Sequence, residues 1–350
     1  MPIGRSAAAQ AVLLIVAFAF VSIGAPRAVY AAGLWLQGAG ATFPAPLYKR
    51  WIEVYEQEHP NIDLSYDAVG SGEGISRFVT GSVDFGASDA APKDAQIAKV
   101  ANGVVVVPAT AGMVVLGYNL PGVDGPLKLP RDVYADIFAG KITKWDDPRL
   151  ASANPTLKLP PRTIAIVARI DGSGTTAAFS THLKAASKSW QEAGLGAGTL
   201  ISWPSNVMLA RGNEGVASRI KISENSIGYL EYGFAKRLGL PVAALQNKSG
   251  SFIMPTEQAG QAALAEGASP APEDLRLVSV DPAGQSAYPI VTYSWLLFYR
   301  QYADPNTAAA LKDFAAWGLG KGQVFARDLG YIPLPENIAA RGEAALASIR

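Results

Sequence analysis

One arginine, two aspartates and three glycine-rich turns carry most of the chemistry this sequence offers. Arg169 ends an otherwise apolar run, Ile164–Arg169, and Asp171 follows two residues later. Gly172-Ser173-Gly174-Thr175 then leads into a helical pattern. A helix entered through such a turn gathers free N–H groups at its positive end, a place that favours an anion. A guanidinium at the end of the strand presents a fork of donors to that anion, and Asp171 can hold the fork in place. A purely structural Arg–Asp pair at a strand end is the competing reading.

Two sibling turns share the pattern. Gly38-Ala-Gly-Ala-Thr42-Phe43-Pro44 and Gly70-Ser71-Gly-Glu73-Gly74 also run from a strand through glycines and hydroxyls into a helix. Any one of them is explained by helix capping, because Ser and Thr cap helices for stability alone. Three converging on one cleft would offer a set of N–H and O–H donors to a single small oxyanion. Asp89, in Val83-Asp-Phe-Gly-Ala-Ser-Asp89-Ala-Ala-Pro92, is either a cap for a helix starting near Pro92 or an acceptor at the same site. An ionised carboxylate only accepts hydrogen bonds. It therefore suits an anion that carries a proton, such as phosphate, and repels fully ionised sulfate.

The elements that must bring these residues together alternate between short apolar runs and helical patterns, which implies α/β layers with largely parallel sheets. Leu34–Leu36 and Ile62–Tyr66 read as strands. A helix is expected from about Ala45, with Leu47, Trp51, Val54 and Tyr55 on its buried face, and another from Ile75. Pro44 suits a first helical turn, where a missing N–H costs nothing. Val104–Pro108 and Met113–Tyr118 read as two strands separated by small residues, a place where the chain could pass from one domain to another. Tyr288–Phe298 could carry it back, and C-terminal helices with Leu311, Phe314 and Trp317 on one face would cover the first domain. Two crossings imply a cleft with a hinge. Asn247–Ser251 and Gly267–Pro272 read as loops.

Composition narrows the classes. The 350 residues contain no cysteine, so disulfides, thiol chemistry and a lipid-modified N-terminal cysteine are all ruled out. Arg5, the apolar run Ala11–Val21 and the small residues of Ala28-Val-Tyr-Ala31 form a signal-peptide pattern with cleavage near Ala31, an uncleaved anchor being the alternative. Without residues 1–31 the chain carries 28 basic and 29 acidic residues, a net charge of −1. It has no basic field for nucleic acid, so any anion site must be built locally. The remaining 319 residues suggest two domains. His59 and His182 lack zinc spacing, and both are expected at helix surfaces.

With these residues assembled, the chain resembles the PstS family, the periplasmic phosphate-binding proteins of phosphate-specific ABC transporters. The resemblance rests on Gly38–Pro46, Val83–Asp89, Gly140-Lys-Ile-Thr-Lys-Trp-Asp-Asp147, Asp171–Thr175 and Ile227-Gly-Tyr-Leu-Glu-Tyr232, spread in family order over nearly the whole mature chain. It implies a two-lobed periplasmic binding protein of type II, each lobe a central mixed sheet flanked by helices, closing on its ligand like a Venus flytrap. On that pattern residues 32–109 and 290–350 form lobe I and residues 110–289 form lobe II. Phosphate would be held by Thr42, by Phe43 through its backbone N–H, and by Ser71, Ser173, Gly174 and Thr175. Asp89 would accept the phosphate proton, Arg169 would be the sole cation, and Asp171 would support the arginine.

The resemblance further implies a monomer in the periplasm, with no catalytic residue, cofactor or metal. Its partners would be the permease and ATPase subunits of an ABC importer. The second turn departs from the family's Gly-Ser-Ser-Gly-Gly by placing Glu73 near the site. If Glu73 points to solvent it changes little, and if it points inward ligand identity is in question. Gly140–Asp147 reads as a tight turn and a helix start around Trp145, with docking to the permease as the alternative.

Three rivals stand beside this reading. Gly172-Ser-Gly-Thr-Thr-Ala177 literally fits a dinucleotide turn with Glu192 twenty residues on, but no second strand ends at Glu192. A secreted phosphate-ester enzyme would need a nucleophile with a base, or metals, and neither histidine lies near a candidate motif. A binding protein for another oxyanion is nearer. Asp89 disfavours sulfate, whereas molybdate stays open and arsenate shares phosphate's protonation.

Overall fold

The computed structural model describes residues 33–267 and 272–350. The signal peptide expected at residues 1–31 lies outside the described residues, as does most of the loop expected at Gly267–Pro272. Eleven strands are present among the described residues: β1 Leu34–Gly40, β2 Ile62–Ala68, β3 Phe85–Ser88, β4 Val104–Asn119, β5 Lys128–Leu129 and β6 Ala165–Arg169, then β7 Met208–Ala210, β8 Ser226–Glu231, β9 Ala244–Gln246, β10 Phe252–Ile253 and β11 Val291–Tyr299. Eight of them form one mixed sheet in the order β2-β1-β3-β11-β4-β8-β6-β7, and β10-β9-β5 form a smaller one. β1, β2 and β3 are parallel, as are β6, β7 and β8, while β11 and β4 run antiparallel to their neighbours.

β4 is the shared strand of a two-lobed fold. Its first part, Val104–Met113, pairs with β11, and its last part, Val114–Asn119, pairs with β8. The two strands expected on either side of residues 109–112 are therefore one strand of sixteen residues. Those residues are small because something packs on them. A Cβ on Gly112 would come within 2.7 Å of the Phe43 ring. Pro108, which cannot donate to a ladder, sits where the register with β11 shifts at Ser294/Trp295, a bulge that relieves the missing bond.

Helices cover both faces. Helix Ala45–Glu58 buries Leu47, Trp51 and Tyr55, as its periodicity implies. Trp51 packs against Gly318 of helix Pro305–Leu319, where a Cβ would come within 2.7 Å of the indole, and donates to Gly322 O at 2.8 Å. Leu311, Phe314 and Trp317 line the buried side of that C-terminal helix. Helix Gly174–Ala186 packs on β8 and β4, and helix Gly212–Ile222 on β8, β6 and β4.

Four boundaries differ from the sequence expectation. Helix Ser71–Val79 starts inside the glycine turn instead of at Ile75, because Gly70 adopts φ +100° and frees the next residue to be helical. The helix expected near Pro92 is the single turn Asp94–Ile97, flanked by Lys93. The helix expected around Trp145 starts at Pro148 behind an Asp147 cap, while Trp145 is a core residue donating to Asn225 O at 3.0 Å. The return strand expected over Tyr288–Phe298 begins at Val291.

Candidate functional site: a closed oxyanion cage

The three glycine turns meet. Ser71 is fully buried, and its Oγ accepts from the Asp89 N–H and from the Gly174 N–H, both at 3.1 Å. A Cβ on Gly174 would lie 2.5 Å from the Asp89 Cβ and 2.6 Å from the Ser71 Oγ, so only glycine allows this approach. Gly72 N–H donates to Gly172 O at 2.8 Å, and a Cβ on Gly70 would strike the Asp171 carboxylate at 2.5 Å. On the other flank Thr42 Oγ1 and Thr175 Oγ1 both accept from the Asn213 amide, at 3.0 and 3.1 Å. Phe43, also fully buried, has its carbonyl held by the Tyr331 hydroxyl at 2.7 Å.

Capping accounts for only one turn. Ser173 Oγ does cap its helix by accepting from Thr176 N–H at 3.0 Å. Neither Thr42 nor Ser71 plays that part, since the caps of their helices, Pro44 and Gly70, make no side-chain cap bond. Asp89 is not a helix cap either. Its Oδ1 accepts from Ser294 Oγ at 2.9 Å, and its own helix is flanked by Lys93 four residues later.

The two carboxylates of the cage sit in opposite fields. Asp171 is nearly buried, which alone would raise its pKa. Two bonds from Arg169 and one from the Gly212 N–H outweigh that and hold it below the usual carboxylate range. Asp89 is also nearly buried, and burial pushes it up to about 7 against the opposing pull of Ser294, Arg169 and Ser71. Arg169 donates to Asp171 through Nε at 2.8 Å and through Nη2. Its Nη1 is buried and has no hydrogen-bond partner among the described residues. The Arg169 backbone N–H is held by the Tyr229 hydroxyl at 3.0 Å, and that hydroxyl also bonds Thr176 Oγ1 at 2.7 Å. The turns bring together hydroxyls, N–H groups, one guanidinium nitrogen and one acceptor carboxylate.

Glu73 points to solvent. It pairs with Arg77 at 2.9 Å and its side chain is 53% exposed, so it adds no charge to the cage. The dinucleotide reading loses its last contact, because Glu192 ends the short helix Lys188–Glu192 and its exposed side chain faces Lys188. His182 corrects an expectation. It is buried, its Nε2 bonds the Tyr134 hydroxyl at 2.7 Å, and Asp281 lies 3.8 Å from its Nδ1. His59 is half-buried and stacks on Tyr55.

The sequence reading missed four supporting residues: Asn213, Tyr229, Thr292 and Ser294. Thr292 and Ser294 project from β11 onto Asp89, the former donating to its carbonyl at 3.2 Å. Asn213 had a usable signal, because Arg211-Gly212-Asn213-Glu214-Gly215 is a fourth strand–glycine–helix turn.

The two-lobed α/β fold is that of the periplasmic-binding-protein class, and a profile described as the PBP superfamily domain matches residues 16–321. The phosphate-binding protein PstS of Pasteurella multocida is 37% identical over 310 residues, 88% of this chain and 89% of that protein. PstS of Methanocaldococcus jannaschii is 39% identical over 337 residues, covering 90% and 86%. The chain belongs to the PstS family. Among solved structures, the phosphate-binding protein of Stenotrophomonas maltophilia superposes with a TM-score of 0.70 at 21% identity, over 90% of this chain and 94% of that one. A high-affinity periplasmic phosphate-binding protein solved with phosphate bound gives 0.71 at 21% identity, over 89% and 93%.

Proposed function

We propose that the protein captures inorganic phosphate in the periplasm and delivers it, as a monomer without catalytic activity, to the permease and ATPase subunits of an ABC importer. Thr42, the Phe43 N–H, Ser71, Arg169, Ser173, Gly174 and Thr175 supply the donors, and Asp89 takes the phosphate proton. Residues 32–109 with 290–350 form one lobe and 110–289 the other. β4 changes partner between Met113 and Val114, four residues past that boundary, which supports a division within this strand.

The observation that carries the reading is Asp89. It is a buried carboxylate facing a cage otherwise made of donors, close enough to the Arg169 charge to feel it. A proton-bearing oxyanion satisfies both groups, while sulfate leaves Asp89 repelling. Leaving a buried polar group unpaired discriminates by on the order of 10⁴-fold. Titration calorimetry with phosphate and with sulfate at about pH 7.5, where Asp89 is mostly ionised, tests it. Phosphate should bind and sulfate should not. Equal binding of the two, or of neither, overturns the proposal.

A further inference from the structure

We infer that Asn213 sets the polarity of the site by making the Thr42 hydroxyl an obligate donor and turning the Thr175 proton away from itself, so that its amide strengthens anion binding without touching the anion. The inference deepens the phosphate reading and rests on it.

The orientation of the Asn213 amide is fixed from behind. Its Oδ1 accepts from the Glu231 backbone N–H at 2.9 Å, and a buried N–H requires an acceptor there. Nδ2 must therefore face the threonines, where it donates to Thr42 Oγ1 at 3.0 Å and to Thr175 Oγ1 at 3.1 Å. Thr42 Oγ1 receives a second bond from the Asn213 backbone N–H at 3.2 Å. A hydroxyl has two acceptor lone pairs and one proton. Both lone pairs of Thr42 are occupied, so its proton is the only thing left to offer the cage. Thr175 has one lone pair engaged by the same amide, which turns its proton away from Asn213.

Ser71 reaches the same state by different partners, its Oγ accepting from Asp89 and Gly174 N–H groups. Thr42 and Ser71 are thus held as donors by bonds that neither could supply itself, and Asp89 is left as the acceptor. Asn213 is completely buried, at the start of helix Gly212–Ile222, and it ties the first glycine turn to the third through one side chain. Aspartate there would keep the shape and the Glu231 bond. It would also present an oxygen where an N–H₂ now stands, drawing both threonine protons away from the anion.

The test is a double-mutant cycle of Asn213→Asp and Thr42→Val, read as phosphate affinity by calorimetry and separately as the urea midpoint. Acting through Thr42, Asn213→Asp should weaken phosphate at least about 100-fold. Thr42→Val should cost about tenfold or more in the wild-type background and under about twofold in the Asn213→Asp background, a coupling seen in affinity. Additive losses in affinity, or coupling confined to the urea midpoint, would show charge repulsion or plain packing and overturn the inference. Should Asn213→Asp not fold, Asn213→Ser closes the same cycle with the same expectation. Within this cycle the phosphate reading fails if the wild-type protein binds no phosphate, which the first corner of the cycle measures.

Discussion

Arg169 and Arg131 each hold a buried aspartate through two hydrogen bonds, yet the two pairs end differently. Arg131 spends its terminal nitrogens on Asp281, with Nη1 and Nη2 at 2.6 and 2.7 Å from the two carboxylate oxygens. Arg169 meets Asp171 edge-on through Nε and Nη2, which leaves Nη1 buried with no partner among the described residues. Both aspartates are held below the usual carboxylate range, burial being outweighed by the facing guanidinium. Electrostatic stabilisation alone therefore does not distinguish them. What distinguishes them is the buried nitrogen left without a partner among the described residues, together with the setting: glycine turns and Asp89 around one pair, Tyr134 and His182 beside the other. A buried pair that leaves a donor over is arranged for a third party, and one that closes on itself is arranged for the fold.

Removing each arginine is the most forceful way to break this comparison. Arg169→Ala should cost at least about 2 kcal/mol of phosphate affinity, in the range for truncating one partner of a buried charge pair. Arg131→Ala should leave phosphate affinity within about twofold and instead lower stability by about 2 kcal/mol, reduced from the fully buried case because its side chain keeps 19% exposure. Calorimetry and urea unfolding on both variants decide it. Comparable losses of affinity in the two would erase the distinction.

The second test is smaller and concerns Asp89 against Asp171. Asp171 accepts three hydrogen bonds, two of them from Arg169, whereas Asp89 accepts one from Ser294 and is pushed up to about 7 by burial. Asp89→Asn should narrow the phosphate-to-sulfate affinity ratio more than it weakens phosphate. In the wild-type protein, sulfate binding should begin to appear as pH falls through about 7, when Asp89 gains a proton it can donate. Sulfate titrations from about pH 8 down to about pH 6 read this directly. A ratio unchanged by pH and by the substitution would remove Asp89 from the selectivity argument.

What the sequence made legible about the cage follows from chain distance. Ser173 to Thr175 with Arg169 and Asp171, and each glycine turn by itself, are local patterns whose helix-opening geometry follows from residue type. The bonds that complete the cage span much longer separations: 103 residues from Ser71 to Gly174, 171 from Thr42 to Asn213, and 205 from Asp89 to Ser294. No periodicity announces such partners, so Asn213 and Ser294 went unseen. The resemblance to PstS supplied the lobes and the order of the motifs, but not those supports. β4 was read as two strands because its small central residues look like a break, although their size answers to the Phe43 ring. His182 was misplaced for a simpler reason. Phe179, His182 and Leu183 fall on one helical face at i, i+3 and i+4, and that face is buried.

A test confined to pH sharpens the comparison from the Arg131 side. His182 faces Tyr134, Asp281 and Arg131, and burial together with the Arg131 charge lowers it from 6.5 to about 4 despite the attraction of Asp281. Its folded pKa is depressed, so the unfolded chain binds the proton more readily between those values. The stability it contributes is present above about 6.5 and is lost as pH falls toward about 4. Asp89 and Glu231 work in the opposite sense over much of that window. Burial raises them to about 7 and about 8, so the cost of keeping them ionised is relieved as pH falls. The wild-type curve is therefore a sum of opposing slopes, and only the difference between wild type and His182→Gln isolates the histidine. That difference should shrink or reverse in favour of the variant by on the order of 2 kcal/mol between about pH 7 and about pH 4.5. Phosphate affinity at about pH 7.5 should meanwhile stay within about twofold, because His182 belongs to the pair that serves the fold. Urea midpoints across that range measure the first quantity and calorimetry the second. A pH-independent difference would mean that His182 is held by packing alone, and a loss of affinity would mean that the two arginine–aspartate pairs are coupled.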